Sequence, residues 1–329
     1  MSLLLLALQF GAGFILLVGG AEALVRSASR IATRYGLPPV LIGLTIVALG
    51  TSLPELVVSL TAALSGEAGD IAIGNIVGSN IANFGLILGL AGLIASLPVA
   101  AEFTRRELPI LFVVSLFFAG IAWLDGDINR IEGALLVLGF GVTMVRSWRA
   151  ATREPLYSKE LRDTVDTVEA IDPQAVKPSR SLLIDILGIV LGLGALVLGA
   201  QWLVAAATEI ARALGVSEVV IGLTLVAVGT SLPEVATSLV AVMRGNSDIA
   251  VGNVVGSNLF NTLAIAGTTA LVSPLVMPGG MEIDFGVMIL LTALVWLFAW
   301  RRPHRISRIQ AGVLLAIYVL YIAQLALRS

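Results

Sequence analysis

Ten predominantly apolar stretches run along the chain with short polar interruptions, near 3–25, 38–64, 70–97, 107–124, 129–148, 181–207, 217–243, 248–273, 283–300 and 308–326. About 20 apolar residues carry an α-helix across the hydrocarbon core of a bilayer. Backbone groups in hydrocarbon must be satisfied internally, so such spans are helical. The pattern therefore predicts an all-α polytopic membrane protein with ten transmembrane helices. The second and seventh stretches each contain the string GTSLPE, at Gly50–Glu55 and Gly229–Glu234. Proline lacks an amide hydrogen and clashes with the preceding turn, so both helices are expected to break there, with carbonyls near Leu49–Ser52 left without intrahelical partners. Glu55 lies 17 residues into its run, roughly 25 Å along an ideal helix, which puts the break near mid-depth.

The two halves of the chain repeat one another. Residues 43–64 match 222–243 at 14 of 22 positions, and 70–90 match 248–268 at 12 of 21. A weaker echo pairs Gly20–Val25 with Gly199–Val204. Five spans make one half, and five is odd. The second half must then cross the membrane in the opposite sense, giving two inverted five-helix repeats whose corresponding residues meet at mid-depth. The expected units are 1–150, a linker 151–180 and 181–329. The linker holds five basic and six acidic residues with Pro155, Pro173 and Pro178, and reads as a solvated tether.

Composition agrees with this picture: 57% of the 329 residues are hydrophobic and 13% charged, against about 25% charged in a soluble domain. The N-terminus lacks a positive n-region and reads as the start of the first spanning helix. With the termini outside, 17 of the 20 Lys and Arg residues fall in cytoplasmic loops and only Arg130, Arg212 and Arg328 lie outside. The positive-inside rule thus predicts an N-out, C-out protein of the plasma (inner) membrane with a cytoplasmic linker. There is no cysteine, and the single His304 sits in a basic loop, which argues against zinc or copper chemistry. No nucleophile–base set is visible, so no enzyme is expected, and nothing points to nucleic acid.

Carboxylates within spans are costly and mark function by default. Glu55 and Glu234 each stand beside hydroxyls, Thr51 with Ser52 and Thr230 with Ser231. Carboxylate, hydroxyl and carbonyl oxygens are the hard ligands that sodium and calcium accept. Two glutamates balance one calcium ion; without cations they repel, and at least one takes up a proton. The second repeated motif is DIAIGNIVGSNIAN at Asp70–Asn83 and DIAVGNVVGSNLFN at Asp248–Asn261. Its Gly74, Gly78, Gly252 and Gly256 permit close helix approach. Asn83 and Asn261 are expected to touch the ion, while Asn75, Asn80, Asn253 and Asn258 hold helix pairs together. Asp70 and Asp248 read as helix-start caps, Glu22 as the local partner of Arg26, and Asp125-Gly126-Asp127 as a turn.

These paired motifs resemble the alpha repeats of the sodium/calcium exchanger family, within the wider cation/calcium antiporter superfamily. The likeness spans almost the whole chain, with GTSLPE followed by GNxxGSN twice in the proper order. It implies four cation sites near mid-membrane and no cofactor beyond the transported calcium and sodium. The implied ligands are the carboxylates of Glu55 and Glu234, the hydroxyls of Thr51, Ser52, Thr230 and Ser231, and the carbonyls of Ala48 and Ala227. Ser79, Asn83, Ser257 and Asn261 complete the set. The first and sixth helices would slide across the core to alternate access. Potassium-dependent relatives typically carry Asp at the position of Asn261, so Asn261 implies potassium independence. Proton/calcium exchange on the same scaffold is the alternative, although those relatives usually have a different motif around the glutamate.

Overall fold

The computed structural model describes residues 3–65, 71–124, 126–153, 181–214, 229–301 and 304–328. The 154–180 part of the linker, Asp70, Asp125 and the segment 215–228 lie outside the described residues. In chain order the helices are α1 (Leu3–Tyr35), α2 (Pro39–Thr51), α3 (Leu53–Ser65), α4 (Ile73–Ile94), α5 (Ala101–Leu124) and α6 (Arg130–Arg153). They continue as α7 (Leu182–Ala213), α8 (Leu232–Met243), α9 (Ser247–Val272), α10 (Glu282–Trp300) and α11 (Arg308–Arg328). Among the described residues eight helices are long and apolar enough to cross a membrane, and the pair α2–α3, bent by 44°, makes a ninth span. The predicted seventh span is described only from Gly229 onward, as the short apolar α8.

α1 and α7 are longer than the hydrophobic pattern suggests. At 33 and 32 residues each reaches about 50 Å, because the charged residues that bound the apolar stretches are paired and the helix runs on through them. On α1, Arg26 contacts Glu22 one turn earlier, as expected, but Glu22 also receives Arg244, whose Nη2 lies 2.8 Å and Nε 2.9 Å from its two oxygens. Arg30 and Arg34 lie 3.9 and 3.7 Å from the fully buried Asp185 of α7. α1 ends at Gly36, which takes φ +63°, a conformation open to glycine at little cost.

α9 is buried along all but its ends and α4 along most of its length, and the rest of the fold is arranged on these two. Glycine allows the contact. An added Cβ on Gly252 would stand 2.3 Å from the Val40 carbonyl oxygen, one on Gly256 2.4 Å from that of Leu44, and one on Gly43 2.5 Å from that of Ile249. The backbones of α2 and α9 therefore touch, as expected of Gly252 and Gly256; at Gly74 and Gly78, where the same was expected, no atom of the described residues lies within 4 Å of an added Cβ. α6 packs on the far part of α9 through Gly133 and Gly267, and α11 on the far part of α4 through Ala311 with Gly89 and Gly92. α1 and α7 approach in the same way, Gly20 on Gly192 and Gly13 on Gly199.

Two ribbons of two-residue strands, invisible to any periodicity argument, join loops of the two halves. β1 (Leu97–Pro98) pairs antiparallel with β4 (Arg305–Ile306), and β2 (Asp127–Ile128) with β3 (Leu275–Val276). The expected turn at Asp125–Asp127 appears as Gly126 at φ +74°, entering β2. Asp248 stands in the first turn of α9, where the helix dipole favours it. The cap position itself belongs to Asn246, which makes no capping bond and lies 3.4 Å from the Ser29 hydroxyl.

Because only backbone faces the missing Cβ of Gly252, Gly252→Ala should lower the thermal midpoint in detergent, by an overpacking cost of about 1–3 kcal/mol. Gly120→Ala, with no atom of the described residues within 4 Å of the added carbon, should leave it unchanged or raise it.

Candidate functional site

The break in the first GTSLPE segment is one residue wide, at Ser52, and in the second it takes in Thr230 and Ser231. Ser52 leaves helical geometry at φ −86°, ψ 9°, and Ser231 at φ −88°, ψ 3°. The amide of Leu56 donates to the Ser52 carbonyl at 3.2 Å and that of Val235 to the Ser231 carbonyl at 3.0 Å. The expected run of free carbonyls at Leu49–Ser52 is thus shorter than the sequence suggested: Pro54 withholds its donor from Gly50, but the helix re-forms at once. The bend leaves Glu55 and Glu234 in the first turns of α3 and α8, where free N–H groups favour negative charge.

These two acids, each 1% exposed, are brought together by exchange between the halves. The Ser52 hydroxyl is 2.8 Å from Glu234 Oε1 and 2.9 Å from the Ser257 hydroxyl. Ser231, its counterpart, donates to Glu55 Oε1 at 3.1 Å and lies 3.4 Å from the Ser79 hydroxyl. The serine of each half thus serves the acid of the other.

Asn83 and Asn261 close the arrangement from α4 and α9. Each lies in a π-helical turn, Asn83–Ile87 and Phe260–Ile265, a local widening often found at functional sites. Asn83 donates to Asn258 Oδ1 at 2.8 Å and Asn261 to Asn80 Oδ1 at 3.2 Å. Their own Oδ1 atoms are buried without a hydrogen-bond donor among the described residues, as are Glu55 Oε2, Glu234 Oε2 and the Thr230 hydroxyl. A buried acceptor without a donor costs about 1–3 kcal/mol, more if charged. Four such oxygens from matching positions call for a hydrogen-bond donor or a cation. Two carboxylates with neutral amides and hydroxyls form an all-oxygen set, suited to hard cations rather than soft metals.

Around this centre the neighbouring amides act as the sequence suggested. Asn75 donates to the Glu55 carbonyl and the Ser59 hydroxyl at 3.1 and 3.0 Å, joining α3 to α4. Asn253 donates to Ser238 at 3.0 Å and accepts from Thr51 at 3.1 Å. Asn80 donates to Thr262 at 2.8 Å, and its carbonyl lies 3.4 Å from Asn258 Nδ2. The Ala48 carbonyl accepts from the Ser52 amide at 3.0 Å; Ala227 lies outside the described residues. Sequence reasoning passed over Ser59, Ser238 and Thr262. The first two carried a signal, since each stands one turn after its glutamate in both copies. Thr262 had none, because its counterpart is Phe84. Asn80→Ala would remove the partners of Thr262 and Asn261 together. It should lower the thermal midpoint in detergent, by about 1–3 kcal/mol for each group stranded, whether or not sodium or calcium is present.

A family model described as "Sodium/calcium exchanger protein" matches residues 5–149 and 184–326. Inner membrane protein YrbG of Escherichia coli is 35% identical over 320 residues, covering 95% of this chain and 94% of the relative. Putative antiporter CaxA of Alkalimonas amylolytica is 38% identical over 320 residues, covering 94% and 95%. A solved structure of the sodium-calcium exchanger NCX_Mj, soaked with sodium and strontium, superposes with a TM-score of 0.83 at 30% identity over 98% of this chain and 99% of that one. The chain belongs to the sodium/calcium exchanger family and has its all-helical, polytopic membrane fold.

Proposed function

We propose that this member of the sodium/calcium exchanger family is a secondary antiporter that exchanges sodium for calcium by alternating access. The observation that carries the reading is the set of four buried oxygens without donors among the described residues, on Glu55, Glu234, Asn83 and Asn261. Cations bound there would also meet the hydroxyls of Thr51, Ser52, Ser79, Thr230, Ser231 and Ser257 and the carbonyls of Ala48 and Ala227. One calcium ion neutralises both carboxylates, and sodium ions can replace it at the same oxygens. A site that cannot stay bare but accepts either cargo couples the two flows. The names of the relatives support sodium and calcium as the ions.

The architecture we propose is ten spans in two inverted halves, 1–150 and 181–329, joined by a cytoplasmic linker, with both termini outside. Its support is the exchange of partners across the halves. Ser52 with Glu234 is answered by Ser231 with Glu55, and ribbon β1–β4 by ribbon β2–β3, each contact recurring about 178 residues along with the halves swapped.

Calcium uptake into proteoliposomes, driven in parallel by outward sodium, potassium and proton gradients, tests the coupling. Sodium alone should drive uptake; uptake driven by the proton gradient and indifferent to sodium would replace this reading with proton/calcium exchange. Glu55→Gln and Glu234→Gln should each reduce exchange at least about 100-fold, since each removes charge that only the bound ion compensates, while Asp248→Asn should retain most of it. Calcium should raise the thermal midpoint in detergent by linkage. Asn83→Ala and Asn261→Ala should shrink that shift while Gly120→Ala preserves it, as a thermal-shift titration would show.

A further inference from the structure

The close glycine contacts make α1 and α7 a two-helix unit lying across the buried core, and the two ends of that unit are treated differently. Beside Arg244, Ala21, Leu24 and Val25 of α1 are fully buried. Their counterparts on α7 are Ala200, Leu203 and Val204. There a cavity of about 530 Å³ opens between α7 and α3, lined by Ala200, Gln201 and Val204 on one side, Pro54 and Val57 on the other, with Thr230 of the site at its end. The charged partners follow the same division. Glu22 on α1 holds Arg244, at the end of α8, through two contacts of 2.8 and 2.9 Å. Repeat positions 179 apart put Gln201 where Glu22 would be and Ser65 where Arg244 would be. Gln201 is exposed, and the Ser65 hydroxyl turns back to the Thr61 carbonyl of its own helix at 2.9 Å. Closure with an ion pair and opening without one thus coincide at equivalent places in one molecule.

We infer that the Glu22–Arg244 ion pair is a one-sided latch, which fastens the α1–α7 unit over the site on the Arg244 side and so biases the protein toward the conformation open beside Gln201. The inference rests on the alternating-access part of the function proposed above. The contact joins the unit that would move to the helix that carries Glu234. Ser29 and Asn246, 3.4 Å apart, lie at the same end. The pair is partly exposed, with side-chain exposures of 24% for Glu22 and 37% for Arg244, so solvent moderates its strength. A pair of this kind tilts a two-state equilibrium and does not freeze it.

The native chain has no cysteine, so one introduced thiol reports alone. Val25→Cys reads the closed side and Val204→Cys the open side, each by its rate of labelling with a membrane-impermeant maleimide applied to vesicles of known orientation. Glu22→Gln, which copies the residue of the other half, should speed labelling at Val25→Cys about 1.5- to fivefold, the scale of a partly exposed ion pair, and slow it at Val204→Cys. Installing the pair on the open side with Gln201→Glu and Ser65→Arg should slow labelling at Val204→Cys. Unchanged rates in both backgrounds, or rates that move in the same direction at the two thiols, would overturn the latch. Labelling needs no ion gradient, so reciprocal changes without sodium-driven calcium uptake would sink the exchange reading and leave the latch standing.

Discussion

Two carboxylates buried in one hydrogen-bonded cluster inside a hydrophobic protein set the terms for everything around them. Insertion scales charge a single acid at mid-membrane about 2.5–3.5 kcal/mol, and Glu55 and Glu234 are buried together. Their first oxygens are met by serines from opposite halves of the chain, and their second oxygens by no donor within hydrogen-bond distance among the described residues. The Pro-induced bends, the helix starts at Leu53 and Leu232 and the π turns at Asn83 and Asn261 all turn oxygen toward this point. The protein satisfies part of the demand itself. In the exchange proposed above, the remainder is met by the transported cations.

The surrounding architecture divides into a part that is hard to deform and a part that is not. Between α2 and α9 the glycine contacts are backbone against backbone, without room for a single added carbon, so these helices move together or not at all. The asparagines of α4 and α9 add side-chain ties through the centre, Asn83 to Asn258 and Asn261 to Asn80. α1 and α7 are internally as tight as the core, yet they present much of their length to lipid. What separates the two parts is therefore a seam of mostly apolar contact, interrupted by a few polar ones.

Much of this was legible in the sequence because duplication makes each signal appear twice. GTSLPE at mid-span located both acids and both breaks, and the Asn-rich motif located the helices that face them. The width of the break was not legible: that Ser52 alone leaves the helix depends on Leu56 finding its carbonyl, a detail of backbone closure. The lengths of α1 and α7 were missed because an apolar-run argument stops at charge, whereas Glu22 and Arg26 satisfy each other and the helix continues. Thr262 was missed because it has no twin. The ribbons were missed because two residues carry no period.

Those ribbons bear on how such a chain could have begun. β1 finds its edge on β4 and β2 on β3, so neither half contains a complete ribbon. Residues 1–150 expressed alone would hold two orphan strand edges, one acid lacking its serine and one serine lacking its acid. Under the inverted architecture proposed above, a second copy of the same fragment, inserted upside down, would meet every one of these needs. An ancestral gene of half this length would then have worked as an antiparallel homodimer, with fusion later removing the search for a mate.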